Sequence, residues 1–424
     1  MMGEWFLRLI SAGGLFCMIA CAWALSEDRR RIPWRLLLWG LGLQALLGLF
    51  VLQTVAGAWL FSGMRRIFDL LSDASTEGAQ FVFGNLSRFF MLERVYLPGA
   101  EGEMVAQDSF AINAIFAFNV LPVIIFVAGM AAILQHLGVI QVVVRAFSRV
   151  MRRSLKTSGA ETFATALLVF TGIESVSAVR VYLERMTRSE LFTVMVAFLS
   201  TIAASVMVAY ANFGAEPGHL LAASLMSAPA AILISKFMIP EKDTPETLSE
   251  KSVSIPVDSE NVFDAAVGGA SLGLNMALNV AAMLIVFVGL IYLLDRASLA
   301  LTSASATQWL GYFFYPFALV MGIPLEDLSS FSQLLATKTI FNEFIAYQQL
   351  QTHIADGTLN SRSVMIATYA LCGFANPGSL GILIGGISAV APKRRAEVAQ
   401  LGLRALAGGT LACFMTACIA GIFG

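Results

Sequence analysis

The stretch LATKTIFNEFIAY, residues 335–347, sets Lys338, Asn342 and Glu343 among Leu, Ile, Phe and Ala. Such a trio would suit the wet face of a soluble helix, but its surroundings exclude that. The 424-residue chain is 58% hydrophobic and 13% charged, against roughly 25% charged residues in ordinary soluble domains. Outward from the quoted stretch, apolar runs fall at 5–25, 34–53, 111–135, 191–212, 219–239, 265–293 and 398–423. Each is near the ~20 residues that a helix needs to cross a bilayer. Weaker, interrupted stretches lie at 153–184, 305–347 and 363–391. The chain therefore reads as an all-α polytopic membrane protein, with about eight transmembrane helices plus two re-entrant hairpins.

Other classes find little support. A net charge of −1 implies no attraction to nucleic acid. The five cysteines (17, 21, 372, 413, 418) sit in apolar runs without zinc or redox spacing, and the histidines at 136, 219 and 353 are isolated. No nucleotide loop, HExxH or nucleophile elbow is present, so neither catalysis nor a cofactor is expected. At the start, CAWALS offers Ala22 and Ala24 near a signal-like cleavage point, yet Glu4 opposes Arg8 and EDRRR follows. We read a first membrane helix that is retained.

Organisation follows from composition and from basic loops. Residues 1–55 give two N-terminal helices, and 56–110 mix apolar and charged residues at helical spacing, as helices lying at the interface do. A third helix (111–150), a first interrupted segment (151–239), a polar linker (240–262), a sixth spanning helix (263–304) and a second interrupted segment (305–424) complete the order. Arg29, Arg30, Arg31 and Arg35, the Arg145–Lys156 group, Arg185 with Arg188, Lys236 with Lys242 and Lys251, and Lys393–Arg395 all fall on one side in this arrangement. By the positive-inside rule that side is cytoplasmic, which puts both termini on the periplasmic side of an inner membrane.

The interrupted stretches repeat. Glu174 in FATALLVFTGIESVSAVRVYL is followed 31 residues later by Ser205, and Glu343 equally by Phe374 in GFANPGS. Paired discontinuous segments in matching positions are the sequence sign of inverted-repeat transporters with a midplane site. A central charge in hydrocarbon costs about 3 kcal/mol on insertion scales, so each glutamate must face protein or water. Pro377, Gly373 and Gly378 unwind the following helix, leaving backbone groups that only a cavity or ligand satisfies. Asn376 and Ser379 add neutral donors and acceptors, and Phe374 an aromatic face. Lys338, five residues before Glu343, is read as equally suited to snorkelling, bonding hairpin carbonyls or touching substrate. This set suits an uncharged, hydroxylated ligand with an apolar or aromatic part.

The motifs EGAQFVFG (77–84), FAFNVLPVIIF (116–126), NMALNVAAMLI (275–285), FFYPFALVMGIP (313–324), LATKTIFNEFIAY, GFANPGSLGI (373–382) and LGLRALAGGTLACFMTACIAGIF (401–423) give the chain its resemblance. From about residue 30 onward it resembles the concentrative nucleoside transporters in their compact bacterial form. The resemblance implies a homotrimer in the lipid bilayer whose transport repeats (151–239 and 305–424) move elevator-fashion on a central scaffold (1–55, 111–150 and 263–304), with the linker 240–262 cytoplasmic. It also implies nucleoside contacts for Glu343 (ribose hydroxyls), Phe374, Asn376, Ser379, Glu174 and Val206. The first hairpin departs from the pattern: Thr171-Gly172-Ile173-Glu174 stands where the family has Gly-Gln-Thr/Ser-Glu, and Leu167 replaces a sodium-binding asparagine. Leucine offers a hard cation no oxygen. The expected function is nucleoside import coupled to protons rather than sodium. The alternatives are transport of another hydroxylated ring compound, or ligand binding without transport.

Overall fold

The computed structural model describes residues 3–87, 90–91, 95–98, 104–107, 111–112, 115–172, 179–248 and 259–424. Among them, seven helical spans are long and apolar enough to cross a membrane: Glu4–Ala24, Trp34–Gln53, Phe116–His136, Arg188–Asn212, Pro217–Met238, Val262–Leu301 and Pro392–Phe423. Ser361–Leu371 and Pro377–Val390, joined across a short break, make the eighth. Hydrocarbon offers the backbone no partners, so a helix that bonds internally is the form these runs adopt.

Among the described residues both halves carry the same order, two helical arms followed by a broken helix. In the first half, Gly159–Thr171 leads to Arg180–Leu183, and the next helix is split into Arg188–Ser200 and Ala204–Asn212. In the second, Leu328–Ala336 passes through a π turn at Thr337–Phe341 into Glu343–Ala355. The starts on the basic face are fixed by capping boxes, Ser158 with Glu161 and Thr187 with Glu190, in which each side chain satisfies the other residue's free amide.

The interior is formed by the broken helices and the spans beside them. In Arg188–Asn212, 94% of the apolar window is buried, against 11% in Val262–Leu301. The latter helix leaves most of its length facing outward and packs along one side on Leu121–His136. Glu4–Ala24 lies on Arg395–Phe423, and Trp34–Gln53 lies on Pro217–Met238, where the Gln44 amide donates to the Met226 carbonyl at 3.0 Å.

Part of the 56–110 expectation is corrected. Thr54 caps a single 29-residue helix, Val55–Phe83, followed by a turn at Gly84–Ser87, and no helix is found among the described residues from there to 112. Phe90–Met91 pairs antiparallel with Ala111–Ile112, and Val95–Pro98 with Met104–Gln107. Part of the reason was present in the sequence: Pro98 disfavours helix at Leu97 before it. The linker likewise begins as non-helical chain before the short turn Glu246–Leu248.

Candidate functional site

Glu343 opens the second arm of the second hairpin. Asn342 before it is extended (φ −164°, ψ 146°) and its side chain accepts from the Phe344 amide at 2.6 Å. That cap halts the π turn and aims the glutamate inward. The same device recurs at the second broken helix. Asn376 is extended, precedes Pro377 and accepts from the Ser379 amide at 2.9 Å. With its oxygen so held, the Asn376 amide nitrogen donates to Glu343 Oε2. The Tyr210 hydroxyl, from the first broken helix, donates to Glu343 Oε1 at 2.8 Å. Two helix N-termini thus meet one carboxylate, and such termini favour negative charge.

The two breaks also meet. A Cβ on Gly373 would lie 2.4 Å from Cys413 Sγ and 3.0 Å from the Ser200 carbonyl oxygen. Only glycine permits the second break to lie so close to the first. Beside this junction is a cavity of about 140 Å³, lined by Val206, Glu343, Phe374 and Ser379 together with Phe198, Ala203, Asn342 and Phe344. Its far wall is Met276, Asn279, Val280 and Met283 of the Val262–Leu301 helix. Phe198 and Phe374 pack with ring centroids 5.7 Å apart. Tyr210 stacks on Tyr347 at 4.3 Å and meets the edge of Phe344 at 4.9 Å. The result is an apolar, partly aromatic chamber with one carboxylate and a few neutral polar groups, the usual make-up of small-molecule sites.

Of the residues named from sequence, the structure brings together Glu343, Asn376, Ser379, Phe374 and Val206. Glu174 and Ile173 lie outside the described residues. Leu167 is 1% exposed within the apolar packing of its helix. Thr201, at the first break, donates to the Ala197 carbonyl at 2.8 Å and lies 3.5 Å from the Leu168 carbonyl. Lys338 does not snorkel: it is fully buried, and its Nζ has no hydrogen-bonding oxygen or nitrogen among the described residues. The ammonium lies 5.9 Å from the centre of the Phe414 ring. Gly172 has φ +64°, so the backbone itself calls for glycine where the resemblance places glutamine.

Sequence reasoning missed Tyr210, Phe198 and the wall of the long helix. Tyr210 follows Val206 by four positions in SVMVAYANFG, which puts both on one helix face. Asn279 stood in the quoted NMALNVAAMLI motif, a polar residue in a spanning run.

Comparison with known proteins agrees with this architecture. The family description "Na+ dependent nucleoside transporter C-terminus" matches residues 219–421, its N-terminal counterpart matches 13–86, and "Nucleoside recognition" matches 117–217. Solute carrier family 28 member 3 of Homo sapiens is 37% identical over 98% of this chain and 60% of its own length. The chain thus spans about three-fifths of that relative. The uncharacterized transporter YutK of Bacillus subtilis is 37% identical over 97% of this chain and 98% of its own. Among solved structures, CNTnw in an inward-facing substrate-bound state superposes with a TM-score of 0.88 at 34% identity, covering 98% of both chains.

Proposed function

Because the chain belongs to the concentrative nucleoside transporter family, we propose that it carries nucleosides across a bacterial inner membrane, into the cell, by an elevator movement. The observation that carries this reading is Glu343, a buried carboxylate facing a small cavity at the meeting point of two broken helices. Carboxylate oxygens accept two hydroxyl protons at once, and charged acceptors contribute about 1.5–3 kcal/mol per hydrogen bond. A ribose diol would take that place, Asn376 and Ser379 would complete its bonding, and Val206 with Phe374 would pack on the base. Glu174 would contribute from the first hairpin.

The packing supports a division that differs from the one expected from sequence. Glu4–Ala24 and Trp34–Gln53 lie on the spans of the two repeats, so in this reading they travel with the mobile body. The scaffold is then centred on Leu121–His136 and Val262–Leu301. The outward face of the latter suits contact among three copies. Both termini lie on the periplasmic side if the basic loops are cytoplasmic.

Coupling is assigned to protons. Leu167 removes an oxygen where the resemblance places a sodium ligand, and Glu174 is the proton carrier in this reading. The family description carries sodium dependence, so the two ions must be separated directly. The experiment is uptake of labelled nucleosides into proteoliposomes, first with potassium replacing sodium at fixed pH, then with a pH step at fixed salt. Uptake driven by the pH step and abolished by Glu343→Gln is expected, with Glu174→Gln retaining exchange but losing accumulation. Sodium-driven accumulation without response to the pH step would overturn the coupling. Uptake of a different hydroxylated ring compound alone would overturn the substrate.

A further inference from the structure

A second cavity lies on the basic face, far from the chamber at Glu343. It measures about 910 Å³ and is formed by the start of the Trp34–Gln53 helix, the chain around 155–161 and the end of the Pro217–Met238 helix with its continuation to residue 245. Its rim carries Arg30, Arg35 and Lys156, all exposed. No ion pair is formed by these three among the described residues. Basic residues on a cytoplasmic edge are ordinary in membrane proteins, and alone they would say nothing.

The floor of the cleft is acidic. Lys236, 7% exposed, lies 2.8 Å from Glu161 and 3.0 Å from Glu241. One ammonium shared by two carboxylates leaves one negative charge over. Glu241 Oε2 takes both Lys236 and the Thr187 hydroxyl at 3.0 Å, whereas Oε1 has no hydrogen-bond partner among the described residues. A buried acceptor left unmade costs about 1–3 kcal/mol, more when charged. Asp243 lines the same cleft.

A simple anion entering here would meet Glu241, and a simple cation would meet the arginines. A ligand bearing a phosphate and a primary ammonium a few bonds apart answers both. Trp34, 65% exposed at the first turn of an apolar spanning helix, places the cleft at headgroup depth, where amphipathic rings collect. We propose that this cleft binds the headgroup of an ethanolamine phospholipid, its phosphate against Arg30, Arg35 and Lys156 and its ammonium against the Glu241 carboxylate. The Val139–Leu155 helix ends at this cleft, so the bound lipid ties that helix to the body packed beside it.

The test is lipid retention, read by native mass spectrometry of the full-length protein released from bilayers of equimolar phosphatidylethanolamine, phosphatidylglycerol and phosphatidylcholine. Preferential retention of the ethanolamine lipid by about tenfold, ~1.4 kcal/mol, is expected. Phosphatidylcholine has the charge but no N–H donor, and phosphatidylglycerol has no ammonium. Arg35→Gln, at an exposed site with no ion pair among the described residues, should lower retention of the ethanolamine lipid several-fold, and Glu241→Gln should erase its advantage over phosphatidylglycerol. Thermal unfolding of each variant confirms that it is folded, and the comparison of headgroups on the unaltered protein needs no variant. Equal retention of either competing lipid, no retention at all, or no effect of Arg35→Gln would overturn the proposal. So would displacement of the lipid by millimolar soluble glycerophosphoethanolamine, which would assign the cleft to a free metabolite.

Discussion

Replacing Glu343 by glutamine exchanges one carboxylate oxygen for an NH₂ group and should remove most ligand binding. In the structure each carboxylate oxygen already accepts one hydrogen bond, from Tyr210 at 2.8 Å and from the Asn376 amide. Glutamine keeps one acceptor and turns the other into a donor, which faces either the Tyr210 hydroxyl or the Asn376 NH₂. The hydroxyl can rotate to accept, but the amide nitrogen cannot. The stable arrangement therefore points the new carbonyl at Asn376 and the new amide at Tyr210, leaving no strong acceptor for a diol. Hydrogen bonds to a charged acceptor contribute about 1.5–3 kcal/mol and neutral ones about 1. Two ribose hydroxyls then lose ~1–4 kcal/mol, or roughly 5- to 900-fold in affinity. Equilibrium binding of uridine and adenosine to purified protein, beside thermal unfolding to confirm the fold, measures this. Affinity within twofold of the unaltered protein would refute the role given to Glu343.

Three further outcomes follow from particular distances. Gly373→Ala should destabilise by about 1–3 kcal/mol, as overpacking does, because its Cβ would come 2.4 Å from Cys413 Sγ. Adding Cys413→Ala should recover part of the loss in thermal unfolding. Gly172→Gln, which restores the residue the resemblance places there, should lower the melting temperature without improving affinity, since φ +64° with ψ −143° costs other residues ~1–3 kcal/mol. Improved nucleoside affinity would show that the first hairpin has merely lost a contact. Glu27, in the first basic loop, accepts from Arg188 at 3.0 Å and pairs with Arg404. Burial alone would raise its pKa, but the Arg188 hydrogen bond and the charges of Arg188, Arg404 and Lys242 outweigh burial and hold it below the usual value. Its contribution is therefore present above the ordinary carboxylate pKa and is lost as pH falls through that value to the lowered one. The melting temperatures of the native protein and Glu27→Gln should converge between about pH 6 and about pH 3, and a constant gap would count against the linkage.

The spans and their interruptions were legible because hydropathy and helix-breaking chemistry are local. Pro377 and the small residues of GFANPGS announced the second break, and Glu343 announced its own importance by being a charge in hydrocarbon. Tyr210 gave no such notice. A tyrosine in an apolar helix looks like any aromatic core residue, and only the crossing of two distant segments shows that its hydroxyl meets Glu343. The cavity wall supplied by Met276, Asn279, Val280 and Met283 depends likewise on tertiary placement. Gly172 shows the opposite failure: the resemblance reads it as a missing side chain, whereas its positive φ makes it a backbone requirement. Lys338 was visible from the start, yet its seat beneath the Phe414 ring was not among the readings weighed.

Under the proposed function, the paired bonds on Glu343 bear on the return half of the cycle. A carrier that accumulates its substrate must come back without it, and a carboxylate with no donors is costly in hydrocarbon. Tyr210 and Asn376, each from a different broken helix, hold both oxygens of Glu343. The same two donors clasp the hairpin to both helices, which in that reading lets these elements move as one piece. An arriving diol would have to share or displace those bonds, trading some tightness of grip for an easier return stroke.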